Sequence, residues 1–177
     1  MSAAIESLIS AEEWEQAEDL IRFHLASDPT NHWLLTRLSL TFYERFDYEQ
    51  ALQYVTQAFS IAPHCPLVLW DYGGTLEMLD QPIDAMRVFR RLIRRGTDRI
   101  ANETCGEGLA RARGLIADCW YRISLCYRDL GQRRQAINAL RMHLSLRGSG
   151  CQSIYPIREA RKKLDAMEGR RLTIPSK

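Results

Sequence analysis

Lysine is almost missing from this chain. Of its 24 basic residues only Lys162, Lys163 and Lys177 are lysine and 21 are arginine, so its cations are planar forks suited to paired hydrogen bonds rather than compact point charges. An uninterrupted run of about 18 apolar residues, the usual minimum for a membrane-spanning helix, is also absent. The N-terminus, MSAAIESLISAEEWEQAEDL, is acidic where a secretory signal would be basic and then apolar. A cytoplasmic location with no membrane partner is therefore expected. The five cysteines, Cys65, Cys105, Cys119, Cys126 and Cys151, are an odd set with no C-x-x-C spacing, which argues for reduced thiols in small core positions. No Gly-rich phosphate loop, nucleophile elbow or H-E-x-x-H occurs, so neither an enzyme nor a cofactor is expected. His24 and His143 read as packed, hydrogen-bonded side chains, and His32 and His64 as helix-start residues. Cys119 and Cys126, seven apart on one helical face, read as core, so no metal site is expected.

What is present is ordinary in amount and uneven in arrangement. At 177 residues, 46% hydrophobic and 26% charged, the chain has the size and composition of one globular domain. Its net charge of +2 conceals two opposed halves. Residues 1–86 hold 14 acidic side chains against 3 arginines, a net of −11, and residues 87–177 hold 21 basic against 8 acidic, a net of +13. Such asymmetry points to an acidic partner, head-to-tail self-association, or nucleic acid.

The order in the chain is clearest between His32 and Pro63. Leu35, Leu38 and Phe42 recur at helical spacing, Phe46-Asp47-Tyr48 interrupts them, and Ala51, Val55 and Ala58 resume before Pro63. This predicts a helical hairpin. A shift of 34 residues places Pro29 on Pro63, Ala17 on Ala51 and Ala51 on Ala85, a period typical of stacked hairpins. The spacing predicts hairpins over about residues 2–29, 32–63, 66–96 and 107–148, a capping helix over about 154–168, and a tail from 169 to 177, with residues 1–168 as one domain. The period breaks once, since Ala136 follows Ala85 by 51 residues, or 34 plus 17. The 17 extra residues, about Asp98 to Gly114, open with loop-forming Asn102, Thr104, Cys105, Gly106 and Gly108. They then lengthen the following helix, to run from about Glu107 to Leu130 with Leu109, Ala112, Ile116, Cys119 and Ile123 on one face. Gly114 inside that helix works against it by roughly 1 kcal/mol. Gly96, just after Arg94 and Arg95, is placed as a helix C-cap.

These positions resemble the tetratricopeptide repeat. A small residue sits mid-way along the first helix (Ser39, Gly73, Ser124), a large one follows a turn later (Phe42, Leu76, Tyr127), and an alanine comes early in the second helix (Ala17, Ala51, Ala85, Ala136). The chain departs from the family where its terminal proline is replaced near Thr97 and Gly148, and where His24, Leu92 and His143 replace a later alanine. The resemblance implies an all-α, right-handed superhelical stack of about four hairpins with a C-terminal capping helix. It also implies a concave groove, lined by the first helices, that holds a peptide of another protein. The groove residues implied are Trp33, Thr36, Arg37, Leu40 and Tyr43, then Leu67, Trp70, Asp71 and Met78, then Asp118, Tyr121, Arg122 and Leu125. The function expected is an adaptor or chaperone-like scaffold for a partner peptide. Two alternatives stand beside it: binding of an acidic partner or, less favoured, nucleic acid through Arg87, Arg90, Arg91, Arg94, Arg95 and Arg99, extended by Arg111 and Arg113; or a homo-oligomeric scaffold.

Overall fold

The computed structural model describes residues 2–106 and 108–169, and every regular element in them is an α-helix. In chain order these are α1 (Ser2–Ser10), α2 (Trp14–Leu25), α3 (His32–Glu44), α4 (Tyr48–Ile61), α5 (Pro66–Met78), α6 (Pro82–Asn102), α7 (Gly108–Asp129), α8 (Arg133–Gly148) and α9 (Ile157–Glu168). They gather into two compact units, one ending at Val88 and the other beginning at Phe89, so the division falls within α6. In the first unit α3 packs along α4 and touches α2 and α5. In the second, α7 packs along α8, and α8 against α9. The tail expected from residue 169 lies outside the described residues beyond Gly169.

The repeat is written into the backbone as well as the side chains. Glu12, Phe46, Asp80 and Gly131 all have positive φ, at 58°, 64°, 56° and 69°. They are spaced 34, 34 and 51 residues apart, the spacing of the four alanines. At each, the next amide reaches back five residues: Glu13 to the Leu8 carbonyl, Asp47 to Phe42, Gln81 to Leu76, and Gln132 to Tyr127, all at 2.8–3.0 Å. The left-handed residue's own amide bonds the carbonyl three back, at 2.9–3.1 Å. This paired closure satisfies the last carbonyls of the first helix and turns the chain sharply into the second. Four of the helices then start on residues that suit their ends. Asp47 accepts from the Gln50 amide at 3.1 Å, as Asn31 does from Leu34 at the start of α3, and Pro66 and Pro82 open α5 and α6.

Packing explains why the small residues stand where they do. Ala17, Ala51, Ala85 and Ala136 are fully buried, and Ser39 uses its place against α4 to donate to the Ala51 carbonyl at 2.8 Å. A side chain larger than methyl there would hold the two helices apart. Around Ala51, Ile5, Ile21, Leu34, Leu38 and Phe42 form the core of the first unit. In the second unit Tyr121, Leu140 and Ala160 are the buried centre on which Leu125, Leu144, Tyr155, Leu164 and Met167 close.

The structure differs from expectation just past Gly96. Instead of a loop from residue 98, the chain kinks at Gly96 (φ 75°, ψ 161°) and returns to helix as far as Asn102. Ile100 and Ala101 are buried, which gives this extra turn a reason to form, and the Arg95 guanidinium pairs with Glu103 across the kink. Among the described residues of the expected insertion, only 103–106 are non-helical. Gly106 fits there because a Cβ would lie 2.5 Å from the Ile100 and Ala101 carbonyl oxygens.

Candidate functional site

The first helices of the first unit carry most of the residues expected to meet a partner. Trp33, Leu40 and Tyr43 on α3 and Trp70 and Asp71 on α5 are half-buried, and Met78 is exposed. That state suits anchors, because an apolar body is already partly desolvated while one edge stays in water. Thr36 is fully buried instead, its hydroxyl bonded to the His32 carbonyl one turn back. Arg37 is also held within the fold, with only 9% of its surface exposed. Its guanidinium meets Glu6 of α1 at 3.2 Å and Asp71 of α5 at 3.7 Å, and sits 5.9 Å from the Trp33 ring centroid. Arg37 therefore ties three successive first helices together and sets the spacing of the tryptophans. Its hydrogen bonds are spent inside the unit rather than offered outward.

In the second unit the expected groove residues are covered. Tyr121 is 3% exposed and lies under the ring of Tyr155, centroids 4.0 Å apart and planes 15° from parallel. Asp118 is buried as well. Its carboxylate accepts from the Ser153 hydroxyl and from the Ile154 amide, the latter at 3.3 Å. Burial pushes the Asp118 carboxyl above its usual range, and those two hydrogen bonds pull it part of the way back. Arg122 donates to the Tyr155 hydroxyl at 3.4 Å, and Leu125 packs into the same cluster. Sequence reasoning gave this face to a partner. The connector between α8 and α9, which shows no periodicity, occupies it.

His143 lies behind the same helix, fully buried. Its Nδ1–H donates to the Ala117 carbonyl at 2.8 Å, which leaves Nε2 unprotonated and without a hydrogen-bond partner. Burial lowers its pKa, against the opposing pull of the Ala117 bond and of Asp118. Cys119 and Cys126 of α7 are also fully buried, and burial pushes the Cys119 thiol well above its ordinary pKa. This surrounding is structural: a neutral ring and an undissociated thiol offer neither a base nor a nucleophile to solvent.

Several arginines of α6 make contacts within the fold. Arg87 pairs with Asp84 at 2.5 Å, Arg95 is half-buried against Glu103, and Arg90 bonds the Tyr127 hydroxyl while covering its ring at 5.6 Å. Arg91 is half-buried, whereas Arg94 and Arg99 are exposed, as are Arg111 and Arg113 on α7. A feature that periodicity did not reveal is a shallow hollow of about 430 Å³ where the α7–α8 turn meets α9. Ala136, Ala166 and Met167 form its floor, and Arg128, Arg133 and Lys163 its rim.

The comparisons with known proteins fit this geometry. A tetratricopeptide repeat model matches residues 117–146, the central part of the α7–α8 hairpin. Solved structures align over nearly the whole chain. The MamA protein aligns at 17% identity with a TM-score of 0.68 over 94% of this chain and 80% of its own. MamA from Desulfovibrio magneticus RS-1, residues 41 to the end, aligns at 14% identity and 0.73 over 96% and 82%. Nearly identical tetratricopeptide-like repeats of a Podosopora anserina putative kinesin light chain align at 11% and 0.69 over 96% and 85%. At these identities the likeness is one of fold. No curated protein matches the sequence, and no helix among the described residues is long and apolar enough to cross a membrane. From the buried alanines, the recurring left-handed turns and these likenesses together, the chain has the tetratricopeptide-repeat fold, and the family's model matches it on the α7–α8 hairpin.

Proposed function

We propose that the protein is an interaction module whose first unit holds an extended segment of another protein against α3 and α5. The observation that carries this is the pairing of Arg37 with Asp71 and Glu6, which fixes half-buried Trp33 and Trp70 on neighbouring helices with Leu40 and Tyr43 beside them. Aromatic anchors held rigid before binding lose little entropy on contact, and such residues dominate interface energetics. Charge supports one kind of partner. Up to Val88 the chain carries 14 acidic residues against 4 arginines, a net of −10, so a segment with apolar anchors and basic flanks is the favoured ligand. An adaptor or chaperone-like role follows if that segment belongs to a folding or assembling partner.

The test is selection from a displayed peptide library on the wild-type chain and on a Trp33→Ala, Trp70→Ala variant of unchanged far-UV circular dichroism. Enrichment of basic, aromatic-containing peptides by the wild type alone is the expected result. Equal enrichment by both would move the site elsewhere.

A further inference from the structure

The connector between α8 and α9 lies along α7 in a defined order. The Gln152 carbonyl rests against Gly114, where a Cβ would be 2.6 Å from its oxygen. Ser153 and the Ile154 amide bond Asp118. Tyr155 stacks on Tyr121 and accepts from Arg122. Gly114, Asp118, Tyr121 and Arg122 are a single stripe of α7, since residues three and four apart share a helix face. From Gly114 to Arg122 is about 12 Å of helix at ~1.5 Å per residue. Gln152 to Tyr155 follow the stripe in the same order, bending at Ile154 and Tyr155, where the Ser153 hydroxyl accepts from the Tyr155 amide at 3.0 Å. Strap and stripe thus run in step, one strap residue or pair to each turn of helix.

We propose that this stripe is a second peptide-binding site, held closed by a ligand that the chain itself supplies. Its natural occupant in the open state is an extended segment of a partner protein with a serine or threonine two residues before an aromatic, as Ser153 stands before Tyr155. The strap shows the chemistry required: an amide and a hydroxyl for Asp118, a ring for Tyr121, a hydroxyl for Arg122. It is also built to leave. Its backbone makes no strand or helix, Gln152 and Ile154 are exposed, the latter by 58%, and it hangs from Gly148 and Gly150, the second at φ 82°. The contacts that hold it are two from backbone, the Gln152 carbonyl and the Ile154 amide, and two from side chains, Ser153 and Tyr155, and a segment of the same pattern can supply all four. Arg147, which bonds the Cys151 carbonyl, anchors the upstream end of the strap, so exchange would lift the four residues that follow it and draw Tyr155 from the cluster it packs against.

This rests on the reading that first helices of this chain receive extended segments, but it concerns a different helix and ligand. The test uses the full chain and a fluorescently labelled synthetic peptide copying residues 150–157. A Ser153→Ala, Tyr155→Ala variant removes the strap's two side-chain contacts with the stripe while keeping Asp118, Tyr121 and Arg122. It should bind the peptide at least about tenfold more tightly than the wild type, whose tethered strap competes at high effective concentration. Adding Asp118→Ala should remove the gain. No gain in a variant of unchanged circular dichroism would overturn the proposal. Should that variant unfold, hydrogen exchange on the wild type decides instead. Exchange at the Ile154 amide about a hundredfold faster than at the buried turns of α7 supports an opening strap, whereas equal rates mean that it opens only on unfolding and would overturn it. A wild-type dimer in light scattering that the double substitution dissolves would place a second copy's strap on the stripe, against the partner segment proposed. Failure here with library peptides still bound by the tryptophan face would sink this inference alone.

Discussion

Two glycines in helices have opposite reasons to exist. At Gly114 the Gln152 carbonyl occupies the space a methyl would need, whereas nothing lies within 4 Å of a Cβ on Gly148. Gly114→Ala is therefore expected to lower stability by about 1 kcal/mol despite its better helix propensity, because the strap must shift. Gly148→Ala should raise it by a few tenths of that scale at the fraying end of α8. Urea titrations of both variants check the contrast, and equal shifts of the same sign would remove the steric role assigned to Gly114. His143 supplies a pH dependence at the same scale. Folding favours its neutral form, so its contribution to stability is complete above about pH 6.5, the value of a free histidine, and is lost as pH falls through the lower folded value. The Asp118 carboxyl contributes in the opposite sense. Its folded pKa is raised, so its contribution is complete below about pH 3.9 and lost as pH rises through the folded value. The urea midpoint should thus fall between about pH 7 and pH 5, and His143→Gln should flatten that fall whatever it does to the midpoint itself.

At the scale of elements, three of the four hairpin closures use left-handed residues that are not glycine, Glu12, Phe46 and Asp80. Phe46 is the most constrained of these, with φ 64° and 78% of its surface exposed, so its side chain is buried in nothing that would repay the strain. Phe46→Gly is expected to stabilise the chain by about 0.5 kcal/mol, the left-handed penalty outweighing glycine's entropy cost. Thermal unfolding measures it, and a destabilised variant would mean that the Phe46 edge contact with Tyr48 outweighs the backbone. These turns also mark how far the helices were legible in the sequence. Asp47, Pro66 and Pro82 are residue types whose chemistry announces a helix start, and four alanines at fixed spacing announce the crossings. Glu12, Phe46 and Asp80 announce no left-handed turn by type, and only their shared period reveals them. Gly96 was legible as a stop, but a glycine says nothing about the helix resuming after it, which here follows from burial of Ile100 and Ala101. The strap was not legible because its order comes from α7 and not from any pattern of its own. Its one trace in the sequence was Gly114, a residue that helix formation alone does not want.

On the scale of the molecule, the boundary between the two compact units nearly coincides with the change of charge sign, net −10 up to Val88 and net +12 from Phe89. Arginine dominance in the second half turned out to serve the fold at several positions, as with Arg90 on Tyr127, Arg95 on Glu103 and Arg122 on Tyr155. Arg87, Arg90, Arg94, Arg99, Arg111 and Arg113 nevertheless remain exposed. If the acidic first unit holds the proposed basic segment, binding is expected to depend on salt, since the screening length shrinks from about 14 Å at 50 mM to about 4 Å at 500 mM salt. Fluorescence anisotropy of a selected basic, aromatic-containing peptide, titrated with the wild type and with Leu40→Arg at both salt concentrations, tests the account most directly. The account predicts saturable binding by the wild type that weakens several-fold at high salt, and a loss of at least tenfold in Leu40→Arg with its helicity intact. Equal affinity of the two proteins would contradict it, because the α3–α5 face would then not be where the partner lies.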